Sequence, residues 1–181
     1  MSPKTAFTTV KTLRTNARKH LEQGAVTDGY TADRAEVINQ LNQALATEII
    51  CVLRYRRHYF MAKGIHAKSV AAEFLAHSNE EQAHADRLAA RIVQLGGAPD
   101  FAPSGLAGRS HAEYVEGDTL NDMIREDLVA ERIAIDSYRD LITFLGHDDP
   151  TTSTLIKEIL AVEEEHADDL ADMLEGLPKK A

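Results

Sequence analysis

Two short motifs in the chain place a histidine three residues after a glutamate. Glu81 and His84 form the first motif, and Glu163 and His166 form the second. Residues three apart lie on the same face of an α-helix, so a carboxylate and an imidazole at this spacing can bind one metal ion together. Each motif is therefore a candidate half of a metal site.

Two further glutamates, Glu48 and Glu131, belong to the same pattern. The offset along the chain that superposes Glu48 on Glu131 also superposes the first Glu-x-x-His motif on the second, to within one position. One glutamate from each of two helices, with a Glu-x-x-His motif from each of two others, is the ligand pattern of di-iron and di-manganese sites in helical bundles. We therefore predict that six side chains bind two metal ions and carry the chemistry: Glu48, Glu81, His84, Glu131, Glu163 and His166.

The residue types also indicate which metals would bind. Four carboxylates buried together repel one another and take up protons unless cations neutralise them. Two divalent ions about 3.5–4 Å apart would neutralise them. Ligation by many oxygens with one imidazole per ion favours iron, with manganese or zinc as alternatives. The opposing interpretation is a set of solvated helix faces, which we accept for the neighbouring Glu80, Glu164 and Glu165.

Four long segments with a helical spacing of apolar residues must position these side chains. They cover residues 31–61, 67–95, 118–145 and 150–175, and glycines or prolines separate them. Glycines and prolines are expected to break any helix within residues 97–117, so this stretch is predicted to be a long connection. Two short turns and one long crossover predict an all-α four-helix bundle.

The distances along the chain place the candidate ligands at one level of this bundle. In the first hairpin, Glu48 precedes Gly64 in the turn by almost the same number of positions as Glu81 follows it. In the second hairpin, Glu131 and Glu163 are equally far along the chain from the turn at position 147. At about 1.5 Å per residue, every one of these glutamates lies roughly 24 Å from its turn. The spacing predicts a single layer of ligands in the core.

Other side chains near the predicted ligands have more than one interpretation. Tyr55 and Tyr138 follow Glu48 and Glu131 by seven residues each. Each is interpreted as a core tyrosine that hydrogen-bonds a ligand carboxylate, with a redox-active tyrosine as the alternative. Cys51 is interpreted as a buried, inert thiol, with a position close to the metals as the alternative. Five histidines without a partner at metal-binding spacing are expected at the surface or in cavities: His58, His66, His77, His111 and His147.

The charge of the chain is unevenly distributed. The net charge is −9, yet residues 1–20 contain five basic and no acidic side chains, so the remainder carries −14. The basic side chains are Lys4, Lys11, Arg14, Arg18 and Lys19. We expect residues 1–30 to form a solvated, partly disordered basic extension and residues 31–177 to form the bundle domain. The extension could contact DNA phosphates, but the acidic body predicts weak binding at most.

Cysteine content and hydropathy bear on the location of the protein. The single cysteine excludes an intrachain disulfide and a cysteine-rich zinc or iron–sulfur site. No segment approaches the roughly 18 consecutive apolar residues of a membrane span, and the N-terminus lacks the apolar region of a secretory signal. A cytoplasmic protein without a membrane partner is therefore expected.

At residues 36–175 the chain resembles the ferritin-like superfamily, and it is most similar to bacterioferritin. The stretches 48–55, 80–87 and 163–166 carry the resemblance. The resemblance implies a ferroxidase centre in which Glu81 and Glu163 bridge two irons. It also implies that Glu48 and Glu131 are terminal ligands, that each histidine of the two motifs binds one ion, and that Tyr55 corresponds to a family tyrosine near the centre.

Two departures from bacterioferritin change what the resemblance implies. Bacterioferritin binds haem through a methionine directly after the first motif glutamate, but Gln82 occupies that position here, so we predict no haem. The short stretch after His166 mostly completes the last helical segment, and the fifth helix of bacterioferritin is therefore not expected. This loss and the N-terminal extension resemble Dps-like proteins. A homo-oligomeric shell of twelve subunits is therefore favoured, with a 24-subunit shell as the alternative.

The resemblance implies a ferroxidase and iron storage or detoxification protein. Two Fe²⁺ ions would be oxidised by O₂ or H₂O₂ at the centre, and the Fe³⁺ would be held inside the shell. A rubrerythrin-like peroxidase and a manganese catalase are the enzymatic alternatives, although no Cys-x-x-Cys motif for a rubredoxin domain is present. A Dps-type protein that protects DNA is the non-enzymatic alternative.

Overall fold

The computed structural model of the protein describes residues 7–65 and 67–177, and the regular structure in these ranges is helical throughout. Its α-helices run, in chain order, over Val10–Asn16 (α1), Arg34–Met61 (α2), Ala67–Gln94 (α3), Leu106–Arg109 (α4), Leu120–Leu145 (α5) and Pro150–Gly176 (α6). The long helices α2, α3, α5 and α6 match the four predicted segments to within three residues at each end. The all-α four-helix bundle is therefore confirmed.

Side-chain caps set the starts of three long helices. Asp33 caps α2 by accepting a hydrogen bond from a backbone amide in the first turn. Thr119 and Asp122 form a reciprocal capping box at the start of α5. Asp149 caps α6, and Pro150 follows at the first helical position, where the missing amide proton costs nothing. Such caps typically contribute about 1 kcal/mol each, so they fix where each helix begins and thus the level of its ligands.

Two apolar clusters fill the interior of the bundle and leave a polar layer between them. On α2 the first cluster ends at Leu45 and the second begins at Cys51, so Glu48 falls in the gap. On α6 the corresponding gap runs from Ile159 to Leu170. Each fully buried leucine or isoleucine stabilises the fold by about 1.5–3 kcal/mol. The apolar layers therefore offset the cost of burying charged groups between them.

The long crossover between α3 and α5 contains more structure than the sequence predicted. The expectation that no helix forms in residues 97–117 is wrong for Leu106–Arg109, which forms the single turn of α4 after a 3₁₀ turn at Pro103–Gly105. Leu106 is buried against Ala46 and Ile50 of α2, and this packing holds the turn in place despite the neighbouring glycines. Tertiary contact outweighs local propensity here.

The N-terminal extension is anchored to the turn between α5 and α6. The Tyr30 hydroxyl donates a hydrogen bond to Asp149 Oδ2 at 2.9 Å, and the Thr31 hydroxyl donates to Asp148 Oδ1 at 2.7 Å. The short helix α1 precedes this anchor and buries none of its side chains. The basic residue Lys4 lies outside the described residues, as does His66. The division into an extension at 1–30 and a domain at 31–177 stays a prediction.

Within residues 7–65 and 67–177, none of the helices combines the length and the apolar character that crossing a membrane requires.

Candidate metal centre

The six predicted ligands lie together in the polar layer of the bundle. Each long helix contributes to the set, and all six side chains are buried, with at most 4% of any residue exposed. The set, called the six-residue cluster below, consists of Glu48, Glu81, His84, Glu131, Glu163 and His166. The equal distances from the turns, read from the sequence, therefore correspond to one level in the folded chain.

The cluster divides into two overlapping groups of four. Within each group, one ligand atom from every residue lies within 4.8 Å of the others. The first group is Glu48, Glu81, His84 and Glu163, and the second is Glu81, Glu131, Glu163 and His166. Glu81 and Glu163 belong to both groups, so their two carboxylates lie between the two places where a cation could bind.

His84 points its Nδ1 atom into the first group. This atom lies 3.0 Å from Glu163 Oε1, 3.5 Å from Glu48 Oε2 and 3.7 Å from Glu81 Oε2. One nitrogen surrounded by carboxylate oxygens from three helices suits a divalent ion that prefers mainly oxygen ligands.

His166 has the equivalent position in the second group, and its other ring nitrogen is fixed from outside. Its Nδ1 lies 3.2 Å from Glu81 Oε1, 3.4 Å from Glu163 Oε2 and 3.9 Å from Glu131 Oε1. Its Nε2 lies 2.7 Å from Glu80 Oε2. A carboxylate behind a histidine holds the ring orientation and the tautomer that place the opposite nitrogen on a metal. Glu80, which the sequence suggested was only a solvated residue, has this orienting contact.

Two tyrosines reach across the bundle to Glu48 and Glu131. These two glutamates, each of which belongs to only one of the two groups, are called the outer glutamates below. The Tyr55 hydroxyl on α2 donates a hydrogen bond to Glu131 on α5, and the Tyr138 hydroxyl on α5 donates to Glu48 on α2. Both rings are buried. The interpretation of each as a core tyrosine that hydrogen-bonds a glutamate of the set is confirmed. Each hydroxyl satisfies one carboxylate oxygen, and the other oxygen is buried without a hydrogen-bond partner.

Most of the unsatisfied polar atoms in the described residues belong to this cluster. Ten buried side-chain nitrogen or oxygen atoms in residues 7–65 and 67–177 lack a hydrogen-bond partner, and seven of them are in the six-residue cluster. Every one of its six residues contributes at least one such atom. A buried polar atom without a partner typically costs about 1–3 kcal/mol. Two cations would give all seven atoms a partner, so the donor set fits a pair of metal ions.

The two outer glutamates favour their protonated forms in the absence of a cation. Burial raises the pKa of Glu48 well above its ordinary value, and the charges of Glu163 and Glu81 raise it further. Burial and then the charges of Glu81 and Glu163 act in the same direction on the pKa of Glu131. Burial also acts to raise the pKa of Glu81, but the close contacts with Glu48 and His166 outweigh it and lower the pKa.

The two histidines favour their protonated forms for the opposite reason. Burial acts to lower the pKa of His84, but the adjacent carboxylates of Glu163 and Glu48 raise it to about 12. For His166 burial is likewise outweighed, by Glu163 and Glu81, and the pKa rises to about 11. Without metal, protons therefore neutralise the cluster, and a bound cation would have to displace them.

Cys51 is a buried thiol, as the sequence suggested. Only 2% of the residue is exposed, and burial raises the pKa of its thiol well above the ordinary value. Its Sγ lies 3.7 Å from Arg54 Nη2. The predicted burial of this thiol is therefore confirmed, whereas its inertness stays a prediction.

Two histidines have partners that sequence reasoning missed. His58 is fully buried, with Nδ1 2.7 Å from Asp127 Oδ2, so the expectation of a surface or cavity position is wrong for this residue. His77 lines a cavity but is also buried, and its ring stacks on His166 with centroids 4.0 Å apart. His77 precedes Glu81 by four residues on one helix, and this spacing was the available signal.

The comparisons with known proteins agree with this geometry. A family model of the ferritin-like domain matches residues 38–180. Bacterioferritin of Mycobacterium avium is 30% identical over 145 residues, which are 80% of this chain and 87% of that protein. A nutrient stress-induced DNA-binding protein of a Synechococcus strain is also 30% identical over 149 residues, 80% of this chain and 84% of that protein.

Solved structures with the same fold include two kinds of relative. The bacterioferritin-related protein of Bacteroides fragilis, described as a dodecameric thioferritin, superposes with a TM-score of 0.77 at 32% identity, over 80% of this chain and 88% of its own. Dps from Thermosynechococcus elongatus superposes with a TM-score of 0.75 at 20% identity, over 81% of this chain and 92% of its own. The second likeness concerns the fold alone.

Proposed function

Because the chain belongs to the ferritin-like domain family, we propose that it oxidises Fe²⁺ at the six-residue cluster and stores the Fe³⁺ inside a homo-oligomeric shell. The observation that carries this proposal is the set of seven buried polar atoms without partners, distributed over two overlapping groups of four. Without cations only bound protons offset the cost of burying such a set, and two divalent ions would give its atoms partners.

The overlap of the two groups assigns a role to each side chain. Glu81 and Glu163 belong to both groups and would bridge the two irons. Glu48 and His84 would complete the ligands of the first iron. Glu131 and His166 would complete those of the second. The tyrosine contacts hold the outer carboxylates in place, so that binding requires little rearrangement.

The paired arrangement suits an oxidation that needs two electrons at once. Two Fe²⁺ ions supply two electrons, which convert O₂ and two protons to H₂O₂, or H₂O₂ and two protons to two H₂O. Glu48 and Glu131, with their raised pKa values, would release protons when iron binds. One site that collects both electrons avoids the release of a radical after a single transfer.

The proposed shell is a dodecamer, with 24 subunits as the alternative. The proposal rests on the similarity to the bacterioferritin-related protein of Bacteroides fragilis, which is described as dodecameric. Several large apolar side chains of the long helices are at least 49% exposed in the isolated chain: Leu53, Phe60, Val93, Val129 and Phe144. Contacts between subunits would cover such residues. Light scattering after size exclusion should give a mass near twelve subunits.

Stopped-flow oxidation of Fe²⁺ tests the proposed activity. The wild-type protein should give a fast phase that saturates at two Fe²⁺ per subunit. Glu81→Ala, which removes a carboxylate from both groups, should abolish this phase. Glu164→Ala is the matched control, because Glu164 is an exposed glutamate on α6 that pairs with Arg139. A rate unaffected by Glu81→Ala, or lost equally in both variants, would refute the proposal.

The same preparation separates the enzymatic alternatives. A manganese catalase would evolve O₂ from H₂O₂ after loading with Mn²⁺, whereas the proposed ferroxidase would consume H₂O₂ only together with Fe²⁺. A rubrerythrin-like peroxidase would turn over with an external electron donor and without net deposition of Fe³⁺. Oxygen-electrode traces with each metal distinguish the three.

DNA protection is a second candidate function, and one observation favours it. Lys11 and Arg14 lie on α1 with exposed side chains, close to Arg18 and Lys19 in the chain. Lys19 is already paired with Asp28 at 2.9 Å, which lowers the free positive charge of the extension. Gel shifts of linear DNA with the full chain and with a variant lacking residues 1–20 test this function. A shift that depends on residues 1–20 and weakens with salt would support it.

A further inference from the structure

A second group of potential metal ligands lies outside the six-residue cluster. Glu73 and His77 lie one turn apart on α3, and Asp169 projects toward them from α6. One ligand atom from each of the three residues lies within 4.8 Å of the others. We call this group the outer cluster. Its two carboxylates are exposed and would repel each other across the helix interface, so a cation between them would remove that repulsion.

The imidazole of His77 is buried and directed into the outer cluster. Its Nδ1 lies 3.3 Å from the Tyr55 hydroxyl, which orients the ring. Its Nε2 therefore faces Asp169 Oδ2 at 3.7 Å, a separation longer than a hydrogen bond. Only 3% of the His77 side chain is exposed. One oxygen of Glu73 lies within 4.8 Å of the ligand atoms of His77 and Asp169, so an ion could bind between the three side chains.

One cavity is lined by the outer cluster and by the two histidines of the six-residue cluster. This entrance cavity of about 320 Å³ is lined by Glu73, His77 and Asp169, and also by His84 and His166. The exposed Glu80 and Glu165 add two further negative charges to its wall, with Arg87 on the same wall ion-paired to Glu158. A recess with this charge attracts cations from solution. His77 belongs to the outer cluster and His166 to the six-residue cluster, so the two clusters are in contact where these two rings stack.

From this geometry we infer that Glu73, His77 and Asp169 form a third cation site, at the mouth of the cavity that leads to the six-residue cluster. Its two carboxylates and single imidazole suit a divalent ion such as Mn²⁺ or Fe²⁺. Water would complete the coordination on the exposed side. The site holds a cation before it passes along the cavity to the six-residue cluster. Binding at the outer cluster is independent of the proposed oxidation, whereas this delivery role rests on it.

Equilibrium dialysis with Mn²⁺ alone in 0.15 M NaCl tests the binding. The wild-type protein should bind three Mn²⁺ per subunit, and Glu73→Gln/Asp169→Asn should bind two. Glu164→Gln/Asp168→Asn is the matched control: it removes two exposed carboxylates of the same types from α6, outside the outer cluster and the entrance cavity, and should still bind three. Because the substituted residues are exposed, both double variants should fold like the wild type.

The outcomes of this experiment separate the two proposals. An equal Mn²⁺ count in Glu73→Gln/Asp169→Asn and its control would overturn the third site, whatever happens at the six-residue cluster. Glu81→Gln/Glu163→Gln should lose two ions and keep one, because the outer cluster is intact. If that variant kept all three ions, the proposed centre would fail while the third site stood.

Stopped-flow kinetics with limiting Fe²⁺ tests the delivery role. With less than one Fe²⁺ per subunit, Glu73→Gln/Asp169→Asn should oxidise iron about tenfold more slowly than its control, since focused charge raises capture rates by tenfold or more. With saturating Fe²⁺ the fast phase should still correspond to two ions per subunit. Equal rates in the variant and the control at limiting Fe²⁺ would overturn the delivery role.

Discussion

The Tyr55 hydroxyl on α2 donates its hydrogen bond to Glu131 of the other hairpin, whereas Glu48 lies on its own helix, seven residues earlier. Tyr138 repeats the contact in the opposite direction, from α5 to Glu48. The internal repeat of the sequence thus becomes an approximate twofold relation in the core. Each hairpin supplies the group that positions the other hairpin's outer carboxylate.

The crossed contacts predict that each tyrosine supports one half of the centre. Tyr55→Phe removes the hydrogen bond to Glu131 and should weaken metal binding in the second group by about 10–100-fold, the usual effect of removing a group that positions a ligand. Of the two sites in the six-residue cluster, Mn²⁺ titration calorimetry should then show one weakened and one unchanged. Tyr138→Phe should weaken the other site, and Tyr59→Phe, on the same helix as Tyr55 and outside these contacts, should weaken neither. Equal weakening of both sites by Tyr55→Phe would contradict the assignment.

Metal binding should release protons and weaken at low pH. The pKa values of His84 and His166 rise to about 12 and 11, so both histidines hold protons at neutral pH when metal is absent, and the raised pKa values of Glu48 and Glu131 act in the same direction. A cation needs their deprotonated forms, so falling pH favours the metal-free state. If binding of the two ions releases two protons, the overall binding constant should fall about a hundredfold for each unit by which the pH is lowered. Calorimetry in buffers of different ionisation enthalpy counts the released protons. A metal affinity that stays the same from pH 6 to pH 8 would contradict this prediction.

The ion pair between Arg54 and Asp127 should contribute strongly to stability. Arg54 Nε lies 2.8 Å from Asp127 Oδ1, and both side chains are at most 1% exposed. Asp127→Ala would leave a buried guanidinium unpaired and should lower the free energy of unfolding by about 3–5 kcal/mol. The control is Glu116→Ala, which breaks an ion pair in which the Glu116 side chain is 62% exposed and should cost under about 1 kcal/mol. Denaturant unfolding measures both, and similar losses would show that burial does not decide the contribution.

Removal of metal should destabilise the folded chain. With free metal at about 100 times the dissociation constant, each occupied site adds about 2.7 kcal/mol. Two sites should therefore raise the melting temperature by about 10 °C or more. Calorimetric scans with Mn²⁺ and after chelation should show this difference in the wild type. The shift should largely disappear in Glu81→Gln/Glu163→Gln, and a shift of full size in that variant would place the stabilising ions elsewhere.

The sequence was sufficient to predict the bundle and the six-residue cluster because both depend on regular spacing. Glycines and prolines mark where the helices end, and a constant rise per residue converts the distance of Glu48 or Glu131 from its turn into a level in the core. The type of partner that Tyr55 bonds was also predictable, since it lies two turns along the same helix from a predicted ligand. Which of the two outer glutamates it reaches was not predictable, because that depends on how the hairpins pack.

Contacts between distant segments account for the features that sequence reasoning missed. Arg54, Asp127 and His58 meet only when α2 packs against α5, and nothing in their local sequence shows that they will be buried. The turn of α4 forms because Leu106 packs on α2, against the preference of the surrounding glycines. The proposed role of His77 as a metal ligand depends on its helical spacing to Glu81 and on a carboxylate from α6. The spacing was visible in the sequence, whereas the contact with α6 was not.

Diffraction at the iron absorption edge tests the central claim most directly. Crystals soaked anaerobically in Fe²⁺ should give two anomalous peaks in the six-residue cluster of each subunit, about 3.5–4 Å apart, between the carboxylates of Glu81 and Glu163. Crystals of Glu81→Gln/Glu163→Gln should lose both. A single peak, or iron bound only at the protein surface while the six-residue cluster stays free of it, would contradict the proposal that this layer of the bundle is a two-metal centre.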